Sequence, residues 1–319
     1  MWRKNVSQVS YVRTADGDLA ARVAHLVIAL VPMKDGSMRT LTAYPARDPS
    51  TCRRDDFNNS GFAANDEDGF RHEVEDFARH EQQKAALARE DLDATALRNI
   101  STPWGRPDHG KVYGPGIASV STPGHGGFIL LAAQNDMIDE RWRASSGGYA
   151  GTIEELLDPD WRTRPVELAG VAFYEEDEQW AVVALSFPHL FTDREIAMAN
   201  RTLMQSMPDE WEAVTGGTVP KGASRVRDRA AFRAANPGRW IVGSASRSKT
   251  KAGHVVVSAT VGGRDDQGRT RGATRLYLLD DAEYDRRLVE SGVYECIIDE
   301  TVDVLVDRHE EPVLVQQAA

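Results

Sequence analysis

Cysteine is nearly absent: Cys52 and Cys296 are the only two in 319 residues. That excludes a disulfide framework and fits reduced thiols of a cytoplasmic protein. Long apolar runs are missing as well. The longest, Val23–Val31, spans nine residues including His25, about half of what a bilayer span needs, so no membrane partner is expected. The start, Met1-Trp2-Arg3-Lys4, leads into Val6, Val9, Tyr11 and Val12 with no apolar core or small-residue cleavage pattern, so export is not expected. The chain also lacks a Walker loop, a Rossmann glycine pattern, a zinc-finger or helix-turn-helix signature, and any His-x-x-x-His pair.

What is present describes a folded chain. An apolar fraction of 41% with 27% charged residues is ordinary for a globular protein, and the length suffices for two or three units with their own cores. The net charge of −11 is uneven. Lys221 to Lys251 holds nine basic residues and one acid, a local +8 that leaves −19 on the remainder. An acidic body repels nucleic acid at long range, whereas a local arginine cluster can still meet phosphate or an acidic partner.

The pattern predicts an α+β fold of mixed or antiparallel sheets with a few helices, in two to three subdomains. Residues 1–100 form a β-hairpin unit and a long helix, 101–217 a glycine-rich α+β core, and 223–319 a β-rich unit bearing the basic stripe. Val6–Val12, Val23–Val31 and Met38–Tyr44 read as strands, with a turn at Lys34-Asp35-Gly36-Ser37. Pro45–Asn65 reads as a loop. Phe70, Val74, Phe77, Ala85, Ala88 and Leu92 recur at helical spacing over 66–98. In the core, Ile117–Val120, Phe128–Ala132, Val171–Phe173 and Trp180–Phe187 read as strands. Thr192 and Glu195 form a capping box for a helix that Pro208 stops. Val214–Ala223 has linker composition. Trp240–Ala245, His254–Val261, Ala273–Leu279 and Val293–Ile298 read as strands, and Asp281–Glu290 as a helix stopped by Gly292.

Two stretches carry candidate chemistry. Ser121-Thr122-Pro123-Gly124-His125-Gly126-Gly127-Phe128 sets a histidine among glycines, where a ligand can approach and backbone N–H groups can point at it. Glu175-Glu176-Asp177-Glu178 puts four carboxylates between two apolar segments. Such crowding is unfavourable unless water, a cation or donor groups compensate. Strand alternation sends Glu175 and Asp177 to one face and Glu176 with Glu178 to the other. His125, Glu175 and Asp177 are therefore the candidate catalytic set, by acid–base work or with a metal, since imidazole and carboxylates suit Fe(II), Mn(II) or Zn(II). The identity of any metal or cofactor stays open. The plainer alternatives are that His125 pins a glycine turn and that the acids form a solvated hairpin loop.

Trp104, Tyr113, Ser121, Gly126, Gly127, Tyr174, Glu176 and Trp180 surround these stretches as candidate binding residues. Arg225, Arg229 and Arg233, spaced by four, align on one helical face as a candidate phosphate or nucleic-acid contact. A serine hydrolase would need a nucleophile elbow, and the nearest match, Ala144-Ser145-Ser146-Gly147-Gly148, follows a charged stretch instead of a buried strand.

The set Pro103-Trp104-Gly105, Ser121-Thr122 with His125-Gly126-Gly127-Phe128, Tyr174-Glu175-Glu176-Asp177 with Trp180-Ala181, and Phe187-Pro188 resembles an uncharacterised family of bacterial plasmid- and phage-borne proteins. The resemblance spans about Pro103 to Trp211. It implies a mobile-element setting and supplies no chemistry. In that family the acidic motif usually continues with cysteine, where this chain has Glu178, which argues against a thiol mechanism. The leading expectation is an accessory or host-interaction protein, an anti-defence role included, that meets a protein partner through its acidic surface. The alternatives are a hydrolase built on His125 and the carboxylates, or a nucleic-acid or phosphate binder through residues 221–251.

Overall fold

The computed structural model describes residues 9–45, 47–59, 61–100, 102–144, 171–265, 268–270 and 272–313. Among them are eight α-helices and three antiparallel sheets, an α+β architecture. The chain divides into two compact units, Met1–Asn200 and Arg201–Ala319.

The first sheet of the first unit is a meander of β1 (Tyr11–Arg13), β2 (Leu19–Val23), β3 (Leu26–Pro32), β4 (Met38–Ala43) and β5 (Asn58–Asn59), in that spatial order. Its apolar content is high because both faces are covered. Leu19, Ala21, Ile28 and Leu30 pack on Phe70, Val74 and Ala78 of helix α1 (Glu67–Ala86). Ala20, Val27, Ala29 and Val31 pack on Cys52 and Phe57 of the following loop. The expected strand Val23–Val31 is divided. Val23 pairs with Leu26, so Ala24 and His25 make a two-residue turn, with Ala24 at φ 48°. No glycine or asparagine announces that turn, which is why the apolar run reads as continuous. Strand β1 begins at Tyr11, and residues 6–8 of the predicted strand lie outside the described residues.

The helical pattern over 66–98 also divides. Asp66 caps α1 by accepting from Gly69 N–H at 2.8 Å, and the helix ends before Ala88, which stands at φ 48°. The chain then forms β6 (Glu90–Asp91) and α2 (Ala94–Asn99).

The second sheet has the order β10-β9-β8-β7-β6, with β7 His109–Gly114, β8 Ile117–Ser121, β9 Gly126–Leu131 and β10 Val171–Glu175. One face packs Val120, Ile129 and Val171 against Leu97 and Ile100. Helix α3 (Ala132–Asn135) follows β9. Trp180–Phe187, predicted as a strand, is instead helix α4 (Trp180–Ser186), with Ala181, Val182, Val183 and Ala184 all buried. An apolar run buried on every side has no amphipathic period to separate strand from helix. The capping box closes as predicted. Thr192 N–H donates to Glu195 Oε2 at 2.7 Å and Glu195 N–H to Thr192 Oγ1 at 3.1 Å. It opens α5 (Asp193–Ser206), and Pro208 then occupies the first turn of α6 (Pro208–Thr215), where its missing N–H is no loss.

The second unit carries helix α7 (Arg225–Ala235) and a four-stranded sheet, β11 (Trp240–Arg247), β12 (His254–Val261), β13 (Thr274–Asp280) and β14 (Val304–Val306). Helix α8 (Asp281–Ser291) ends on Gly292 at φ 69°. The predicted strand Val293–Ile298 is not one. It touches the sheet through a single bridge, Ile241 to Ile297, and its apolar residues Cys296 and Ile298 fill the core beneath Val257 and Tyr277.

Candidate functional site

The β8–β9 connection and the end of β10 lie side by side because Ser121 pairs with Gly126 and Glu175 with Gly127. Within the connection, Thr122 folds the chain on itself. Its Oγ1 donates to the His125 carbonyl at 2.7 Å and accepts from His125 N–H at 3.1 Å, while Thr122 N–H reaches the same carbonyl at 2.7 Å. The His125 backbone is thereby fixed and its side chain is left exposed.

Glycine is required at both positions after the histidine. A Cβ on Gly126 would lie 2.6 Å from the Val120 carbonyl oxygen and 2.7 Å from Glu176 Oε2. A Cβ on Gly127, at φ 155°, would lie 2.1 Å from the Tyr174 carbonyl oxygen and 2.5 Å from the Trp104 ring. These close approaches let Glu176 lie over the strand and Trp104 close its other side, with Trp104 meeting Phe173 edge-on at 5.8 Å.

Across from the histidine, Glu176 N–H donates to the Gly126 carbonyl at 3.1 Å. Glu175 Oε2 accepts from Asp177 N–H at 2.7 Å and from Glu178 N–H at 3.4 Å, and Glu175 N–H donates to the Gln179 side chain at 3.2 Å. The carboxylate thus organises the turn that leads into α4 and satisfies N–H groups of that turn. The outcome is a convergence: one ligand atom each from His125, Glu175 and Glu176 lies within 4.8 Å of the others. Three ligands on one ion at about 2.1 Å lie at most about 4.2 Å apart, so a small side-chain adjustment brings these atoms onto a common ion.

Asp177 is not in this group. The alternation that placed it beside Glu175 assumes a continuing strand, and β10 stops at Glu175. The turn brings Glu176 to His125 instead. Tyr174 is fully buried and serves the core, donating to Asn135 Oδ1 at 2.5 Å and accepting from Ala144 N–H at 3.1 Å. Burial raises its hydroxyl pKa. Trp180 opens α4 and is half-buried. Ser121 lines an open groove of about 440 Å³ beside β6 to β8, together with Asp91, His109 and Lys111; His125, Glu175 and Glu176 do not line it. The serine pair of the nucleophile-elbow candidate lies outside the described residues.

Tyr113 belongs to an arrangement that the sequence did not disclose. Its ring carries the Arg89 guanidinium at 4.0 Å and meets Phe128 and Phe191 at 4.8 and 5.2 Å. Arg89 binds both oxygens of Glu195 at 2.9 and 2.7 Å and the Leu190 carbonyl at 2.8 Å. Burial alone would raise the Glu195 carboxyl pKa, but the Arg89 guanidinium and the Thr192 N–H outweigh it and lower it. Burial also raises the Tyr113 hydroxyl. The two partners stand 106 residues apart, and no local spacing links them.

In the second unit, Arg225, Arg229 and Arg233 do share α7. Arg233 forms a two-pronged ion pair with Glu295, and Arg229 donates to the Val293 carbonyl at 3.1 Å and lies 3.9 Å from the same carboxylate. Glu295 is buried. These two arginines hold the loop after α8. Cys296, next in sequence, is buried, and burial pushes its thiol up to about 11, far from the range of a reactive thiolate.

No described helix is long and apolar enough to cross a membrane. Neither the curated proteins nor the solved structures yielded a match to the chain. Residues 98–237 match the model of a family described as a domain of unknown function, DUF7007, a stretch that holds the His125, Glu175 and Glu176 cluster.

Proposed function

We propose that His125, Glu175 and Glu176 hold a divalent transition-metal ion and that the protein is a metal-dependent hydrolase acting on a phosphate-bearing or amide substrate. The observation that supports this is the convergence of one imidazole and two carboxylates within 4.8 Å at an exposed turn. Three protein ligands leave coordination positions for water and substrate, as hydrolytic metal sites require. Mixed nitrogen and oxygen ligands favour Zn(II), Mn(II) or Fe(II) over Mg(II). The bound ion would supply a nucleophilic hydroxide near neutral pH.

Metal titration of the purified chain tests the reading. Zn(II) or Mn(II) binds with 1:1 stoichiometry, and His125→Ala, Glu175→Gln and Glu176→Gln each weaken it at least tenfold, while Asp177→Asn, outside the cluster, keeps affinity. Equal affinity in the three ligand variants and the native chain would refute it.

A second reading rests on the exposed acids of the same turn and the net charge of −11: an accessory or host-interaction protein of a phage or plasmid that meets a basic partner. It predicts capture of a partner at low salt that weakens as salt screens the acidic surface. Capture that persists in Glu176→Gln with Asp177→Asn removes this turn from the contact. A nucleic-acid role for α7 has less support, because Arg229 and Arg233 are engaged by Glu295.

A further inference from the structure

The β11–β12 turn, Ser248-Lys249-Thr250-Lys251, is wrapped around a single carboxylate. Glu310 Oε2 accepts from Ser248 Oγ at 2.5 Å, Thr250 Oγ1 at 2.8 Å and the N–H groups of Lys249 and Thr250 at 3.1 Å each, and its Oε1 accepts from Lys249 N–H at 3.0 Å. Ser248 Oγ in turn accepts from Lys251 N–H at 2.9 Å. Consecutive backbone N–H groups closing on one anion, with hydroxyls beside them and lysines flanking them, form the nest used for phosphate recognition.

Two observations mark Glu310 as a stand-in for a larger anion. It is delivered from 60 residues away at the tip of the turn after β14, where it stands at φ 67°, a left-handed conformation that is uncommon for glutamate. Residues 247–251 also carry more positive charge than the one carboxylate they receive. Arg247, Lys249 and Lys251 are exposed within five residues, and among the described residues no carboxylate forms an ion pair with any of them. One carboxylate therefore leaves two of three cations uncompensated, whereas a phosphate dianion would leave one and offer additional acceptor oxygens. The nest also holds the Glu310 carboxyl down to about 2, as expected of a site built for an anion.

We infer that the Ser248–Lys251 turn is a binding site for a dianionic phosphate group and that Glu310 occupies it as an internal competitor, closing the site until the segment after β14 is displaced. The inference is independent of the metal-site reading, since it concerns other residues in the other unit. It also gives residues 247–251 a phosphate role that Arg229 and Arg233 do not fill.

Titration of the full chain with inorganic phosphate at constant ionic strength, followed through the backbone amide resonances of Lys249, Thr250 and Lys251, tests it. Glu310→Ala binds phosphate at least tenfold more tightly than the native chain, and adding Lys249→Ala and Lys251→Ala abolishes the gain. Glu310→Gln keeps the side-chain volume and removes the competing charge, so it shows the same direction if the alanine variant does not fold. O-phosphoserine and adenosine 5′-monophosphate titrated in parallel assign the source of the phosphate, protein or nucleotide. Phosphate affinity unchanged from the native chain in the folded glutamine variant overturns the inference and leaves Glu310 as a structural clasp.

Discussion

Glu176 lies across Gly126, so close that a methyl group on that glycine would fall 2.7 Å from its Oε2 and 2.6 Å from the Val120 carbonyl oxygen. The approach joins the two motifs of the central sheet at one point. The space that glycine leaves open is taken by a candidate metal ligand.

Gly126→Ala is therefore expected to destabilise the protein by about 1–3 kcal/mol, the usual range for forcing a methyl group into filled space. The side chain can swing away and the carbonyl cannot, so the Val120 contact sets the cost and Glu176 the functional loss. On the proposed metal reading, affinity for the ion falls with it. Gly124→Ala, where nothing lies within 4 Å, changes stability by less than about 0.5 kcal/mol. Urea denaturation of both variants beside the native chain checks the contrast, and equal midpoints would show that the Val120 carbonyl does not crowd Gly126 as described.

The Arg89–Glu195 pair holds the chain after α1 to the start of α5, and both side chains are largely buried, at 8% and 19% exposure. Arg89→Met leaves Glu195 without its partner and costs about 2–4 kcal/mol, less than a fully buried carboxylate would because Glu195 keeps some access to water. The folded-state pKa of Glu195 is lowered. Its stabilisation is then complete above the ordinary glutamate pKa and is lost as pH falls through the lowered folded value. Thermal melts from pH 7 downward should show the native chain losing stability below the ordinary glutamate range, and Glu195→Gln showing a shallower decline from a lower starting point. Parallel pH profiles for the two would contradict the assignment.

What was legible in the sequence follows from how local each determinant is. The Thr192–Glu195 capping box and the Gly292 stop act within four residues, and the structure realises both. Trp180–Phe187 reads as a strand because its burial erases the period that separates helix from strand, and the helix Trp180–Ser186 found there follows the turn organised by Glu175. The same turn moved Asp177 out of the cluster and Glu176 into it. His125 and Glu175 stood out as chemistry-bearing types, but their proximity depends on the β9–β10 register. Arg89 with Glu195, and Ser248 with Glu310, join residues that nothing nearby in sequence connects.

Arg233 and Glu295 give the clearest separation between a basic stripe that binds and one that builds. Glu295 is 7% exposed, and a carboxylate at that depth is tolerable only because Arg233 grips both its oxygens and Arg229 stands close by. Arg233→Ala should therefore destabilise the second unit by about 3–5 kcal/mol, the range for leaving one member of a buried pair uncompensated. Replacing both members, Arg233→Met with Glu295→Leu, should recover most of that loss, since the desolvation of two charges is removed along with their attraction. A surface phosphate contact behaves differently: its loss leaves the unfolding midpoint in place and lowers retention on a polyanion column by a salt-dependent step. Chemical denaturation of the single and double variants, run beside heparin chromatography of the same samples, distinguishes the two roles. A folded, fully stable Arg233→Ala with weakened retention would return the α7 arginines to the binding surface.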